Sequence, residues 1–177
     1  VFGGDFLSRI NMDLRETKGW SYGVRSQVNG AEDRVPFYMF APVQTNQTGP
    51  SVKVLIDQLN DFNGAKPVTA EELEKTIKGN VLELPGSYEQ SSAVLGQMQS
   101  DRLNKRSFDY AETLAGKYNA LTAKALNDAM RAKVDPSKIT WLVVGDAAKV
   151  KPQLEALGLP IEMVSEAANT TASKTTK

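Results

Sequence analysis

The chain has 177 residues with 21 basic and 21 acidic side chains, a length that suits one domain with a hydrophobic core of its own. Because the formal net charge is zero, no field favours nucleic acid or an anionic membrane, and no apolar run is long enough to span a bilayer. The sequence contains neither cysteine nor histidine, which excludes disulfides, Cys- or His-ligated zinc and a Ser-His-Asp triad within this chain.

The first predicted element is an amphipathic helix over residues 2–16. Its apolar residues recur at every fourth position with charged residues between them, which is typical of a helix with one buried face. These apolar positions are Phe2, Phe6, Ile10 and Leu14. Gly19 stands where a left-handed cap would end the helix, and Lys18 would interact favourably with the helix dipole. The pair Gly3 and Gly4 costs helix stability, and we expect close packing against the sheet to explain it.

A β-hairpin is predicted next. Residues 20–28 alternate between apolar and polar side chains, which indicates a strand with one buried face. That face would carry Trp20, Tyr22, Val24 and Val28. The Asn-Gly pair within residues 29–33 predicts the turn, and the aromatic stretch 36–43 predicts the returning strand.

Helices dominate the middle of the chain. Apolar spacing and capping residues predict helical segments over residues 51–62, 70–84, 91–103, 110–121 and 123–134. Thr69 and Glu72 form a capping box at the start of the second segment, and Thr122 caps the last. Pro85 interrupts the second segment, and Pro136 follows the end of the last.

The last part of the chain predicts a strand, a helix and an edge strand. Residues 139–146 form an unbroken apolar run ending in Gly-Asp, which predicts a strand buried on both faces. Asp146 is the expected cap of a short helix over residues 147–157, followed by an edge strand over residues 161–164. Residues 165–177 are polar and low in complexity, and they predict a disordered tail.

This order of elements predicts an α+β fold. We expect a two-layer sandwich in which helices cover a mainly antiparallel sheet, formed by a single domain over residues 1–164.

Two stretches resemble the non-catalytic C-terminal domain of pitrilysin/insulinase-type zinc metallopeptidases. Residues 7–26 and the glycines before them carry the first match, at Gly3, Gly4, Ser8, Arg9, Leu14, Arg15, Glu16, Lys18, Gly19, Tyr22 and Val24. Residues 134–150, with an Asp-Pro turn, an apolar strand and Gly-Asp, resemble the closing strand of that domain. The resemblance implies a processing-peptidase-like half-domain. It also leads us to expect that the chain, which begins at Val1, is truncated at its N-terminal strands.

The resemblance further implies a division of labour between two halves of an enzyme. A homologous domain or partner subunit would hold zinc through an inverted His-x-x-Glu-His motif, and this domain would close a peptide chamber from the opposite side. The substrate would be a peptide or an unfolded protein. The family's substrate-contacting arginine and tyrosine correspond to Arg15 and Tyr22. No metal or cofactor is expected in this chain, and the resemblance favours the bacterial periplasm.

The residues alone leave other interpretations open. Tyr22 can be a core tyrosine beside Trp20, and Arg15 can be a cation that stabilises the end of a helix. The chain can also be a structural or assembly subunit of the same fold without peptidase activity, or a peptide-binding module without a catalytic partner. The presence of both Arg15 and Tyr22 argues against the structural subunit, which would not need both residues.

Overall fold

The computed structural model describes residues 1–28 and 35–164. The turn predicted within residues 29–33 and the tail predicted for residues 165–177 lie outside these described residues. The described elements are mainly helices together with one two-stranded antiparallel sheet, which confirms the α+β class.

The elements in chain order begin with a short helix and a hairpin. Helix α1 (Arg9–Asn11) continues as a π-helical turn, Met12–Thr17, and strands β1 (Arg25–Val28) and β2 (Phe37–Phe40) follow. The remaining helices are α2 (Thr48–Asn63), α3 (Ala70–Glu83), α4 (Ser91–Leu103), α5 (Tyr110–Asn119), α6 (Ala123–Lys133) and α7 (Ala147–Glu155).

The first helix is shorter than predicted, because the chain before Arg9 bends and forms hydrogen bonds with β1 and with the start of α1 instead of a helical ladder. The Gly3 carbonyl accepts a hydrogen bond of 2.7 Å from the Ser26 amide, so it is not part of a helical ladder. A Cβ atom at Gly3 would lie 2.5 Å from Ser26 Oγ and 2.6 Å from Ile10 Cδ1. The expectation that packing explains the glycines is therefore confirmed for Gly3. A Cβ atom at Gly4 would meet nothing within 4 Å.

The predicted cap at Gly19 is confirmed. Gly19 has a φ of +65°, and the Trp20 amide bonds back to the Leu14 carbonyl at 2.9 Å. Just before it, the Lys18 amide bonds to the Asp13 carbonyl, five residues back, at 3.0 Å. This wider spacing is the signature of a π-turn, a feature that often occurs at functional sites.

The hairpin forms with a regular register. Its strands pair antiparallel, with Arg25 opposite Phe40 and Val28 opposite Phe37. Regular pairing is confined to these four residues of each strand, and a single bridge joins Ser21 to Val43. The predicted strands over residues 20–28 and 36–43 are therefore present but shorter than expected.

The helices predicted between residues 51 and 134 are confirmed, because their start and stop signals are local. The side chain of Thr69 accepts a hydrogen bond from the Glu72 amide, and the Glu72 carboxylate accepts one from the Thr69 amide. Thr122 caps α6 through the Ala125 amide, and Asp146 caps α7 through the Ala148 amide.

Two predicted strands are wrong for the described residues. Residues 139–146 and 161–164 contain no strand, and in the first segment Leu142 is 84% exposed and Val144 is 92% exposed. A strand needs a neighbour to pair its backbone groups, and the described part of the chain holds only the sheet of β1 and β2. Ile139 and Trp141 still pack against the core from one side of this segment.

The hydrophobic core joins the first helical turn, β1 and α2. Ile10 and Leu14 are fully buried, and they belong to one cluster with Val24 of β1 and with Leu59 of α2. Burial of such side chains contributes about 1.5–3 kcal/mol each, so this cluster fixes the helix that carries Arg15 against the strand that follows Tyr22. None of the helices in the described ranges is long and apolar enough to cross a membrane.

Candidate functional site

The structure brings Arg15 and Tyr22 together, with Phe6 as a third member. The Arg15 guanidinium carbon lies 4.3 Å from the centre of the Phe6 ring and 5.2 Å from the centre of the Tyr22 ring. Cations at such distances are attracted to aromatic rings. Arg15 Nε also lies 3.2 Å from the Glu16 carboxylate. The guanidinium is therefore oriented by two rings and one carboxylate.

Tyr22 is 90% exposed, so its interpretation as a core tyrosine is wrong. The predicted face of Trp20, Tyr22, Val24 and Val28 does not exist, because the buried positions of this stretch are Val24 and Ser26. The alternation breaks before β1 begins, since Ser21 Oγ accepts a hydrogen bond from the Gly23 amide at 3.1 Å and forms a local turn.

Hydrogen bonds fix the backbone on both sides of the exposed Tyr22. Ser21 Oγ donates to the Pro42 carbonyl at 2.6 Å, and the Gln44 amide donates to the Trp20 carbonyl at 2.9 Å. Among the described residues, the Arg15 guanidinium is the one cation that lies over the Tyr22 ring, and the Tyr22 hydroxyl has no hydrogen-bond partner. The phenol O–H is thus presented to the outside from a backbone fixed on both sides.

Asn11 links the parts of the site and was not predicted as a site residue. Its buried side-chain amide donates to the Phe6 carbonyl at 2.7 Å and accepts from the Val24 amide at 2.8 Å. It therefore fixes the segment carrying Phe6 to the strand that follows Tyr22. One feature of the sequence could have indicated this role. Asn11 lies three residues before Leu14, beside the apolar stripe of the predicted helix, where a buried side-chain amide needs hydrogen-bond partners.

A groove of about 420 Å³ opens beside these residues. Its wall includes Arg15 and Tyr22, with the backbone of Gly4 near them and the side chains of Phe6 and Phe40. Phe6 and Phe40 were not predicted as site residues, because their positions depend on the bend of the chain before Arg9 and on the register of the hairpin. The groove is larger than a single side chain and open enough to admit part of a peptide.

Arg9, which belongs to the matching motif, points away from this groove. Its guanidinium forms two hydrogen bonds of 2.6 Å with the Glu72 carboxylate and lies 5.0 Å from the centre of the Phe62 ring. These hydrogen bonds from Arg9, with further donation from Thr69, lower the pKa of Glu72 from 4.5 to about 2. Arg9 is therefore a residue that joins α1 to the start of α3.

No metal site is formed by the residues that the structure describes. Within ranges 1–28 and 35–164, no three Asp or Glu side chains lie close enough together to hold a metal ion. The chemistry available at the groove is instead hydrogen-bond donation. A phenol O–H and a guanidinium can both donate to a carbonyl oxygen or to an oxygen that carries negative charge.

Comparisons with known proteins support the sequence resemblance. Residues 1–80 match the sequence profile of the family described as peptidase M16 inactive domain. This range contains every residue of the first matching motif and both Arg15 and Tyr22. No curated protein is significantly similar to the chain.

Solved structures share the fold over a larger part of the chain. A peptidase M16 inactive domain from Pseudomonas fluorescens aligns with 78% of this chain at a TM-score of 0.68 and 24% identity. A conserved protein from Enterococcus faecalis aligns with 74% of the chain at a TM-score of 0.60 and 17% identity. The chain spans 33% and 30% of the lengths of these two proteins.

The family match covers the segment that builds the groove, and the shared fold extends beyond it. The resemblance of this chain to the non-catalytic C-terminal domain of pitrilysin/insulinase-type metallopeptidases, the peptidase M16 inactive domain, is thereby confirmed.

Proposed function

We propose that this chain is the substrate-binding, non-catalytic half of a zinc-dependent metalloendopeptidase and closes a peptide chamber against a zinc-bearing domain or subunit. The observation that carries the proposal is the exposed Tyr22 beside the oriented Arg15, on one groove, inside the segment that matches the family. An inactive domain of a peptidase implies a catalytic partner in general, and the substrate is a peptide or an unfolded protein.

The role of Tyr22 follows from the charge that develops during peptide hydrolysis. When bound in the other half, zinc would polarise the peptide carbonyl and activate a water molecule. The carbonyl oxygen gains negative charge in the tetrahedral transition state, and a phenol O–H about 2.7–3.1 Å away stabilises that state more than the substrate. The free hydroxyl of Tyr22 can make this hydrogen bond without first breaking another one.

Arg15 would hold the peptide rather than the reacting oxygen. A guanidinium has several donors in a fixed plane, which suits neighbouring carbonyl groups of an extended chain. Its position between Phe6 and Tyr22 limits its rotation before substrate arrives. Less conformational entropy is then lost when the peptide binds.

We also propose that the sheet of β1 and β2 is completed by further strands in the assembled protein, giving the two-layer sandwich expected from the sequence. Support comes from residues 139–144, where Ile139 and Trp141 face the core while Leu142 and Val144 are exposed. This alternation is typical of a strand, and exposed aliphatic residues of this size favour a covering layer.

The test is peptide cleavage by the protein assembled with its zinc-bearing half, comparing wild type with Tyr22→Phe at equal zinc content. We expect kcat to fall by about 10²–10³ with little change in KM, because one transition-state donor is lost. Tyr110→Phe is the matched control, since that ring also lies beside cations, Arg106 and Lys117, but outside the groove.

An unchanged kcat in Tyr22→Phe would refute the role of this residue. Absence of peptide cleavage in a zinc-loaded wild-type assembly would instead favour a structural or assembly subunit of the same fold. Peptide binding by the chain without cleavage in any assembly would favour a binding module.

A further inference from the structure

Helix α4 buries a carboxylate and exposes its apolar side chains. Asp101 is fully buried, and one of its carboxylate oxygens accepts a hydrogen bond of 2.8 Å from the half-buried Gln97. Leu95 is 57% exposed and Met98 is 43% exposed. A surface helix normally does the opposite, because the burial of its apolar side chains holds it to the core.

The inner side of α4 holds this helix weakly. The second carboxylate oxygen of Asp101 has no hydrogen-bond partner among the described residues, and an unsatisfied buried oxygen is destabilising. Within the described chain, the element that α4 contacts most is the short turn Gly86–Tyr88 that precedes it. An isolated helix of 13 residues is marginal in water, so a layer that covers its outer side would stabilise it.

The outer side of α4 has an apolar centre and opposite charges at its two ends. Leu95, Met98 and Arg102 follow the spacing i, i+3, i+7, which places them on one face of the helix. Glu89 is exposed just before the first turn of α4, whereas Arg102 is exposed in its last turn. Neither of these charged side chains forms an ion pair with another residue that the structure describes. Both charges are therefore available to a partner.

This face is complementary to itself when two copies of α4 lie antiparallel. With a two-fold axis midway between Leu95 and Met98, the Leu95 of each copy lies opposite the Met98 of the other. Arg102 then lies opposite Ser91 of the other copy, two residues from its Glu89 and within reach of the long arginine side chain. A parallel pair would instead place like charges together at each end, which is unfavourable.

We propose that the chain self-associates through α4, as an antiparallel pair in which Leu95 and Met98 of two copies pack together. At each end of the pair, Arg102 of one copy binds Glu89 of the other. The helix is about 20 Å long, so the contact is smaller than in stable dimers, and we expect a dissociation constant of about 10–100 μM. The described wall of the groove at the candidate site contains no residue of α4, so self-association leaves the groove open.

The experiment is sedimentation velocity of the chain at concentrations from about 2 to about 500 μM. We expect monomer at the lowest concentration and mostly dimer at the highest. Leu95→Glu should weaken dimerisation at least about 10-fold, because it places two like charges at the centre of an apolar contact. Leu82→Glu is the matched control, since it changes another exposed leucine, on α3, and should leave the dissociation constant unchanged. Far-UV circular dichroism checks that each variant keeps its helices.

Two charge variants test the antiparallel arrangement. Arg102→Glu leaves acidic groups at both ends of the face, and Glu89→Arg leaves basic groups at both ends. Each variant alone should therefore dimerise at least about 5-fold more weakly than wild type. An equal mixture of the two should form a heterodimer about as strong as the wild-type dimer, because each end again joins opposite charges. The two positions are about 20 Å apart along one chain, so a contact within one copy cannot produce this recovery.

A chain that stays monomeric at the highest concentration, or a dimer that Leu95→Glu does not weaken, would overturn the proposal. A mixture of the two charge variants that dimerises no better than each variant alone would overturn the antiparallel pairing on which the proposal depends. A monomeric wild-type chain that binds the zinc-bearing half, with that binding lost in Leu95→Glu, would also overturn it and assign the face to that half. None of these results bears on Tyr22, whose role is tested by cleavage.

Discussion

The ion pair between Arg9 and Glu72 gives a stability prediction that depends on pH. The pKa of Glu72 is lowered from 4.5 to about 2 in the folded protein, first by its hydrogen bonds with Arg9. A carboxylate with a lowered pKa stabilises the fold above its unfolded pKa, and the contribution is lost as the pH falls from about 4.5 toward 2. The full shift corresponds to about 3 kcal/mol, which solvent screening of the 32% exposed Glu72 side chain reduces to about 2 kcal/mol.

Glu72→Gln isolates this charge, because glutamine at the same position can still complete the capping box with Thr69. We expect the free energy of unfolding in urea to fall by about 2 kcal/mol at pH 7. The difference from wild type should shrink at pH 3 and be nearly absent at pH 2, because wild-type Glu72 then also loses its charge.

Glu74→Gln is the matched control, since it removes an exposed charge two residues further along α3. It should change the free energy of unfolding by less than about 0.5 kcal/mol at each pH. A loss in Glu72→Gln that is equal at pH 7 and pH 2 would contradict the electrostatic argument and indicate a packing effect of the substitution.

Two further predictions concern packing and the site. Gly49→Ala should destabilise the protein by about 1–3 kcal/mol in thermal or urea unfolding, because its Cβ atom would lie 2.7 Å from the Gln153 carbonyl oxygen. At Gly79 a Cβ atom would meet nothing within 4 Å, so Gly79→Ala should instead stabilise α3 by up to about 1 kcal/mol. Destabilisation by Gly79→Ala would refute the argument that the space around the added Cβ atom decides the effect. Asn11→Ala should cost about 1–3 kcal/mol and also lower kcat/KM for peptide cleavage. Asn127→Ala, which removes a comparable buried amide far from the groove, should lower stability alone, and equal losses of kcat/KM would refute a positioning role for Asn11.

Helix boundaries were predictable from the sequence because their signals lie within a few residues of each other. The capping box of Thr69 and Glu72 and the cap at Thr122 act on the first turn of their own helices. Gly19 likewise ends the first helix by its own positive φ. The prediction began the first helix too early in the sequence. The hydrogen bond that competes with the helix joins the Gly3 carbonyl to the amide of Ser26, 23 positions away.

Strands were predicted less well because they depend on partners. The hairpin pairs β1 with β2 as expected, since both strands are close in the sequence. Residues 139–146 have a strand-like composition, but their state depends on neighbours that the described part of the chain does not supply. The resemblance identified Arg15 and Tyr22, but the sequence gave no indication of Phe40. The register of the hairpin places Phe40 in the wall of the groove beside them.

The two interpretations of Tyr22, as a core residue and as a residue that contacts a ligand, predict different burial of its side chain. A tyrosine kept for packing should bury its ring, because burial of a large aromatic side chain is where its stabilisation comes from. Tyr22 leaves 90% of its surface exposed, while hydrogen bonds of Ser21, Gly23 and Asn11 fix the backbone around it. The fold thus orders this segment without burying the side chain. Such an arrangement supports the proposal that Tyr22 meets a ligand, and the adjacent Arg15 supports a ligand rich in oxygen acceptors, as a peptide is.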